Sequence, residues 1–471
     1  MMDQFDPVDL DAQSNHAIVI GGSIAGLLAA RVLSDHFERV TVIERDGLPP
    51  SPSSRSGTPQ SLQPHVLLVK GYRILEQLFP GIGLELAAAG AIELDWTRQF
   101  YHFTQGRWNV SLHTDSPLRS FTCSRPLLEW AIRQRVCRLA RVQVLTGQRV
   151  TGLLSNTTGN SFRHGKATCI TGVCYRSAQT AEPKQLQAAL VVDASGRGTN
   201  TPQWLQELGW TPPAKTIVDP GVGYATRRYR LPEAYSPPWK VMLIDQIPPD
   251  QPRLAYLAAI ENGEWIATLG GYGRDYPPLT ESDFLAFART LAAPDFYEAI
   301  KAAQPTSDIR AHRATANRLY HYETAQLPPG LIALGDAVCA LCPVYGQGMT
   351  VSALSALVLQ NWLNQQPSDR LSPQYLSNTR QFQQQVARSN GLAWKTATQL
   401  DSRFPSTKGR IPAGWLESNL QVYMERLIRQ AQTDPELRFL YTEIVNFLKP
   451  PLAFYHPKII WQVLRQPGPS A

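Results

Sequence analysis

The sequence is short of several things, and each shortage removes a class of protein. Six cysteines are scattered through 471 residues, too sparse for a disulfide scaffold, so reduced thiols and a cytoplasmic location are expected. The opening stretch "MMDQFDPVDLDAQSN" is acidic and polar and has no apolar core of a signal peptide. No uninterrupted apolar run reaches the roughly 18 residues of a spanning helix. The nearest approach, "MTVSALSALVLQNWL", is broken by Thr, Ser, Gln and Asn and reads as a buried core helix. A net charge of +7 comes without any Lys/Arg block, so nucleic acid is not an expected partner. No Ser/His/Asp set or carboxylate pair stands out, and no His/Cys grouping suggests a metal site.

What is present is an alternation of strands and helices. "HAIVI" reads as a buried strand, "SIAGLLAARVLSDHF" as a helix and "RVTVIERD" as a second strand, a β-α-β unit. A Pro/Ser/Gly-rich loop leads to a helical stretch over about 65–79, and 91–122 reads as short strands. Ser124 is an N-cap for "RPLLEWAIRQRV". Strands are expected near 142–154, 167–177 and 186–193, and 216–275 is strand-rich. Helical spacing covers 281–302; "GLIALGD" is another buried strand, and beyond about 371 the pattern is mainly helical.

The first turn carries chemistry. In "VIGGSIAGLLAA" Gly21 and Gly26 occupy the outer places of G-x-G-x-x-G, with Ser23 at the middle one. Such a turn aims helix N–H groups at a pyrophosphate: Gly21 permits the tight bend, Gly26 lets helix and strand approach, and the Ser23 hydroxyl is expected to meet a phosphate oxygen. Gly22 and Ala25 complete the turn. Glu44, followed by Arg45, ends the second strand, where an acid takes the adenosine ribose hydroxyls. This context supports a dinucleotide, but the turn alone does not separate FAD from NAD.

The second segment, "LIALGDAVCALCPVYGQGMTVSALSALVL", bears on that choice. A strand ends at Gly335-Asp336, and a turn with Pro343, Gly346 and Gly348 feeds a helix beginning near Met349. A flavin, which extends beyond the pyrophosphate, uses such a second helix N-terminus; Asp336 suits a ribityl hydroxyl. Cys339 and Cys342 form a C-x-x-C here, but no second pair completes a metal site, and they read as small residues packing the turn. Gly270-Gly271-Tyr272-Gly273 mimics a phosphate loop, but Pro277-Pro278 follow where its helix should begin, and that reading is rejected.

The second segment resembles the second FAD motif of the para-hydroxybenzoate-hydroxylase-like FAD-dependent monooxygenases. "SRPLLEWAIRQRV" resembles that family's helix whose leading arginine, here Arg125, contacts the flavin, and "VVDASGRGTNTPQWL" resembles its middle motif, with Asp193 in place. The stretches "ERDGLP", "RSGTPQSLQPHVLL", "DASGRGTNTPQWL", "PVYGQGMTVSA" and "SRFPSTKGRIP" are similar to the polyether-type (monensin and lasalocid) FAD epoxidase branch, over about 16–465. Ser195-Gly196 stands where the wider family has Asp-Gly, so the motif does not imply built-in NADPH handling. Gln63 replaces the first of a histidine pair, leaving His65 as the single catalytic candidate beside a plain helix-end role. Arg55 is expected to cover the FAD phosphate.

The resemblance implies an α/β fold: a Rossmann-like FAD-binding domain assembled from three segments (1–90, 123–210, 321–370), an inserted strand-rich substrate domain (91–122, 211–320) and a C-terminal helical region (371–471). It implies an FAD-dependent monooxygenase in which reduced FAD and O₂ form a C4a-hydroperoxyflavin. Attack on an apolar alkene in secondary metabolism is expected, by epoxidation or hydroxylation, because an alkene needs no general base. Electrons would come from transiently bound NAD(P)H or a separate flavin reductase. A flavin-dependent halogenase stays open, although its W-x-W-x-x-P signature is missing and Trp265 stands alone. A geranylgeranyl-reductase-like enzyme and a flavin-binding protein without turnover also stay open.

Overall fold

The structure, a computed structural model, describes residues 15–112, 115–158, 167–177, 180, 182–366, 378–412 and 414–465. The acidic opening stretch (1–14) and the first part of the expected C-terminal helical region (371–377) lie outside the described residues.

Five apolar strands form a parallel sheet in the spatial order Leu331–Ala333, Leu190–Asp193, His16–Ile20, Arg39–Ile43, Val142–Leu145. They come from widely separated chain pieces, yet their register is tight: Ile20 stands opposite both Ile43 and Asp193, and Asp193 opposite Ala333. The turns after three strands therefore open at one edge, where ligands of open α/β sheets bind. Burial on both faces explains why the strands read as continuous apolar runs. His16, fully buried among them, is tied to Gln187 O at 2.7 Å and Thr41 Oγ1 at 2.9 Å. Burial, helped by Arg39, lowers its imidazole to about 4, so it is neutral. The helices Ile24–Leu33 and Gly348–Asn364 pack together over this sheet.

A second sheet runs Gln304–Pro305, Gly223–Arg230, Trp265–Gly271, Arg253–Ala259, Val241–Ile244, Phe100–Thr104, Arg107–Trp108. Alternate residues divide between its faces. Ala225, Leu257 and Leu269 meet Phe284, Phe287 and Phe296 of the helices Glu281–Ala288 and Asp295–Ile300. On the opposite face, Tyr224 and Leu254 meet Cys342 and Phe404, while Phe100, Val241 and Tyr256 meet Leu68, Trp96 and Phe439. That face looks toward the second glycine turn and the C-terminal helices, Thr379–Asp401, Trp415–Ala431, Pro435–Val445 and Pro457–Arg465.

Several boundaries depart from expectation. The helical passage 281–302 is two helices, Glu281–Ala288 and Asp295–Ile300, and the stretch 142–154 holds two strands, Val142–Leu145 and Gln148–Thr158. Two others have a visible cause. The helix expected over 65–79 spans Val69–Leu78, because its first amide is capped from afar: Val69 N donates to Asn446 Oδ1 at 2.9 Å. The strand expected over 186–193 divides into Pro183–Gln187 and Leu190–Asp193. Between them Ala188 N bonds Thr171 O in an antiparallel ribbon and Ala189 N bonds His16 O in the parallel sheet, so the chain changes sheets there.

Candidate functional site

The first glycine turn is as tight as its sequence requires. Gly21 N donates to Ile43 O at 2.9 Å, and its φ of 101° lies in the left-handed region that glycine tolerates. A Cβ on Gly26 would stand 1.9 Å from Gly21 O, so only glycine lets the helix Ile24–Leu33 start against the strand. No side chain caps that helix, and the first-turn amides of an uncapped helix are what an anion site uses.

The side chains around this N-terminus form a charge cluster. Ser23 Oγ donates to Glu129 Oε2 at 2.7 Å and accepts from Arg125 Nη2 at 2.8 Å; its hydroxyl, expected at a phosphate, is engaged by two neighbouring side chains. Glu44 Oε2 accepts from Gly22 N at 2.7 Å and Oε1 from Asp46 N at 3.0 Å. Arg55 is buried between three carboxylates: Nη1 lies 3.1 Å from Glu44 and 2.7 Å from Asp46, and Nε and Nη2 lie 3.0 and 2.9 Å from Glu129. Arg125 reaches Glu129 at 2.9 Å, and its buried Nε has no hydrogen-bond partner among the described residues. Burial alone would raise the Glu129 carboxyl, but Arg125 and Arg55 prevail and hold it down at about 2. Arg45, exposed, donates to Gly57 O at 3.1 Å.

The second turn meets the first. Gly335 has φ 62°, and a Cβ there would stand 2.7 Å from the Ala25 Cβ, so the missing side chain lets the two motifs touch. The half-exposed Asp336 carboxylate lies 3.7 Å from Arg197 Nε, and its backbone oxygen accepts from Arg318. Pro343 opens a single 3₁₀ turn that ends at Gly346, φ 62°, against Val66. The helix from Gly348 is also uncapped, and a Cβ on Gly348 would meet nothing within 4 Å. Met349 is buried just inside it. Asp193 faces inward: Oδ1 accepts from Ser195 N at 2.9 Å and Oγ at 2.5 Å, Oδ2 from Thr199 Oγ1 at 2.5 Å. It fixes the turn that follows the third strand. Cys339 and Cys342 are free and buried; burial pushes the Cys339 thiol up to about 12 and Cys342 well above the usual range.

His65 directly precedes Val66, which lies against Gly346 of the second turn. Its Nδ1 is 2.9 Å from Gln63 O, and burial, then the nearby Arg125 charge, push the imidazole down to about 3. Gln63 Oε1 accepts from Thr226 on the second sheet at 2.6 Å, joining this segment to the face that looks at the glycine turn.

The structure also assembles a polar group that sequence reading missed. Asp401 Oδ1 accepts from Tyr345 at 2.6 Å and Tyr272 at 3.0 Å, and Oδ2 accepts from Asn317 Nδ2 at 2.6 Å. Burial raises the Asp401 carboxyl to about 6 although these hydrogen bonds pull the other way. Its members come from four distant chain segments, and the one signal was that Asp401 directly precedes the branch-like "SRFPSTKGRIP". A buried Tyr224 hydroxyl, without a hydrogen-bond partner among the described residues, feels the same carboxylate.

Two uncapped helix N-termini at one sheet edge, with an acid after the second strand, define the fold of the flavin-dependent monooxygenases and halogenases. Solved structures agree: the flavin-dependent brominase Bmp2 superposes with a TM-score of 0.66, at 15% identity over 95% of this chain and 98% of that one. PqsL of Pseudomonas aeruginosa, a probable FAD-dependent monooxygenase, gives 0.59, at 16% identity over 82% and 96%. By sequence the chain belongs to the family of Protein Rv3254 of Mycobacterium tuberculosis, to which it is 35% identical over 359 residues, 73% of this chain and 71% of that protein. Squalene epoxidase 1 of Arabidopsis thaliana is 26% identical over 360 residues, 74% of this chain and 59% of that protein. No family model matches the sequence. Among the described residues no helix is long and apolar enough to cross a membrane.

Proposed function

We propose that this chain is an FAD-dependent monooxygenase acting on an apolar organic molecule, by epoxidation or hydroxylation. The observation that carries the reading is the pair of uncapped helix N-termini, at Ser23 and Gln347, brought together by the contact between Gly335 and Ala25. One N-terminus suits a pyrophosphate, and the second suits the flavin ring further along.

The residues fit that group. Gly21, Gly22, Ser23, Ala25 and Gly26 would cradle the pyrophosphate, with Glu44 and Arg45 on the adenosine side. Gly335, Asp336, Pro343, Gly346, Gly348 and Met349 would hold the ribityl chain and ring. Arg125 has a buried Nε free to gain a partner, whereas the nitrogens of Arg55 are already engaged. We therefore assign the contact to Arg125, and to Arg55 the task of holding Glu44, Asp46 and Glu129 in place. Asp193 contributes through the turn it fixes. When bound and reduced, FAD supplies the electrons and the site of O₂ activation. The chain orients the substrate on the second sheet's inner face and excludes water. His65, neutral beside Arg125, adds no charge there.

The domain division expected above fits this reading, with the substrate chamber between the second sheet and the C-terminal helices. NAD(P)H, directly or through a reductase, is the proposed electron source. The similarity to squalene epoxidase favours an alkene over a phenol. A halogenase is the second reading, favoured by the likeness to the brominase.

Purified protein should show flavin absorption bands, and NAD(P)H with a reductase should drive O₂ uptake that is coupled to oxygen insertion into an alkene. Colourless protein that takes up no FAD refutes the cofactor. Halide-dependent halogenation of the substrate would replace monooxygenation with the second reading.

A further inference from the structure

The turn assigned above to the flavin ring is held from behind by one buried carboxylate. Asp401 closes the helix Thr379–Asp401 and is fully buried. Its Oδ1 accepts from Tyr345, the last residue of the 3₁₀ turn, at 2.6 Å. Its Oδ2 accepts from Asn317 Nδ2 at 2.6 Å, and Asn317 Oδ1 in turn accepts from Cys342 N at 2.7 Å. Cys342 directly precedes Pro343, so the two oxygens of Asp401 reach the two ends of the turn. Asp401 is itself anchored. Thr407 Oγ1 donates to its backbone oxygen at 2.6 Å. Tyr272, the second donor to Oδ1, stacks on Phe404 with ring centroids 4.3 Å apart.

Every partner of this carboxylate is a donor. Tyr345, Tyr272, Asn317 Nδ2 and the Cys342 thiol all give it hydrogen bonds, and among the described residues no cation pairs with it. An ionised carboxylate only accepts and can serve them all, whereas a protonated one must donate through one of its oxygens. Asn317 cannot turn round to receive that proton, because its Oδ1 is committed to Cys342 N. Hydrogen bonds to an ionised acceptor are also roughly twice as strong as those to a neutral one. Protonation of Asp401 therefore slackens the hold on both ends of the turn.

The charge of Asp401 changes at an accessible pH, since burial raises its carboxyl to about 6. The groups that face it do not follow. Burial pushes Tyr345, Tyr272, Tyr224 and Cys342 well above their usual ranges, so they keep their protons. Arg197 is the cation that Tyr224 and Cys342 feel, and Asp219 is the other carboxylate that acts on Cys342. At the first turn Glu129, at about 2, stays ionised and His65, at about 3, stays neutral from pH 5 to 8.

We propose that Asp401 is a positioning residue of the flavin site: as an ionised carboxylate it holds both ends of the turn Cys342–Gly346 and so fixes the geometry in which that turn takes FAD. This rests on the flavin reading above, and it acts through Tyr345 and Asn317 rather than by touching the cofactor.

The test uses the whole flavin-loaded chain, dialysed to equilibrium at pH 5 and at pH 8, with released FAD read by its fluorescence and folding followed by circular dichroism. At pH 5, one unit below about 6, roughly one chain in eleven is ionised at Asp401, so FAD should bind about tenfold more weakly than at pH 8. Asp401→Asn, a neutral acceptor at any pH, should bind FAD at pH 8 about as weakly as the native chain does at pH 5, with no further change between the two. Tyr345→Phe removes one hydroxyl and one end of the hold. It should weaken binding severalfold at pH 8 and shrink the ratio between the two pH values. Where Asp401→Asn does not fold, the native chain and Tyr345→Phe decide. Three results overturn the proposal: equal FAD affinity of the folded native chain at both pH values, a native ratio that survives Asp401→Asn, or a Tyr345→Phe chain that matches the native one at both. A purely structural role would lower the melting temperature of the variants and leave the ratio as it was. A native chain that holds no FAD at either pH refutes the flavin reading and this proposal with it, whereas a flavin-loaded chain indifferent to pH refutes the role of Asp401 alone.

Discussion

The sharpest test of the nucleotide turn is the smallest substitution, Gly26→Ala. The residue sits in the first turn of the helix Ile24–Leu33, where alanine is intrinsically favoured over glycine by about 1 kcal/mol. Helix propensity alone therefore predicts a slightly more stable protein. The packing predicts the reverse. The added Cβ would stand 1.9 Å from Gly21 O and 3.0 Å from the Gly21 carbonyl carbon. Both are backbone atoms, which cannot rotate aside. Ordinary contact begins near 3.4 Å, so the helix start would have to retreat by 3.4 − 1.9 = 1.5 Å. Overpacking of that kind costs about 1–3 kcal/mol. Loss of the Gly21 N to Ile43 O bond, which closes the turn, adds about 1 kcal/mol. The steric term exceeds the propensity gain, and the amides that would face the pyrophosphate move with the helix. Thermal unfolding followed by circular dichroism should show a midpoint several degrees lower. The flavin absorbance per mole of purified protein should fall more than tenfold. Gly348→Ala is the companion measurement: its Cβ meets no protein atom within 4 Å, so the fold should be untouched while flavin content falls, because only the ligand needs that space. A Gly26→Ala protein that melts at or above the native midpoint with its flavin retained would refute the reasoning.

Three further outcomes follow from the buried charges. Glu129→Gln leaves Arg55 and Arg125 short of a counter-ion and should destabilise the chain by about 3–5 kcal/mol in urea unfolding. The Glu129 carboxyl drops from 4.5 to about 2 on folding. Its contribution is complete above 4.5 and disappears as the pH falls toward 2, so the native chain should lose stability over that window and the variant should lose less. Asp401 has the opposite sign: its folded value is raised from 3.8 to about 6, so stability should decline as pH rises from 3.8 to 6. Asp401→Asn should flatten that decline and, with an amide now facing Asn317 Nδ2, cost about 1–3 kcal/mol at pH 5; an unchanged pH slope would remove Asp401 as its source. Finally, a thiol-specific chromogenic reagent should label Cys137, the exposed cysteine, rapidly. Cys339 and Cys342 should react only on unfolding; fast labelling of either would contradict the burial that keeps them protonated.

Sequence patterns revealed what local physics dictates and little else. The strands around Ile18, Val42 and Val192 were readable because a two-sided parallel sheet makes apolar runs. Gly21 and Gly26 were readable because a tight bend and a close helix–strand approach each need a missing side chain. The Ser124 cap also forms as expected, accepting from Leu127 N at 3.3 Å. What escaped depends on partners far along the chain. The start of the helix at Val69 is set by Asn446, 377 residues away, and no pattern around residue 65 carries that. Asp401 reads as an ordinary helix-end acid until Tyr272, Tyr345 and Asn317 surround it.

The polar residues of the first turn were named from the sequence, but their engagement with Glu129 was not legible there, for a related reason. Ser23, Arg55 and Arg125 have the right chemistry for a phosphate, and a sequence shows chemistry without showing prior commitments. Glu129 supplies those commitments, from one helical turn beyond Arg125, where the i,i+4 spacing makes an ion pair unremarkable. Once it is placed, the two arginines are no longer equivalent. Arg55 bonds through Nε, Nη1 and Nη2 to the carboxylates of Glu44, Asp46 and Glu129 and would have to give up a partner to take a phosphate. Arg125 holds Glu129 and Ser23 through Nη2 while its buried Nε stays without a partner. An incoming anion at this edge therefore gains a hydrogen bond from Arg125 at no cost to the cluster, and takes one from Arg55 only by breaking an ion pair.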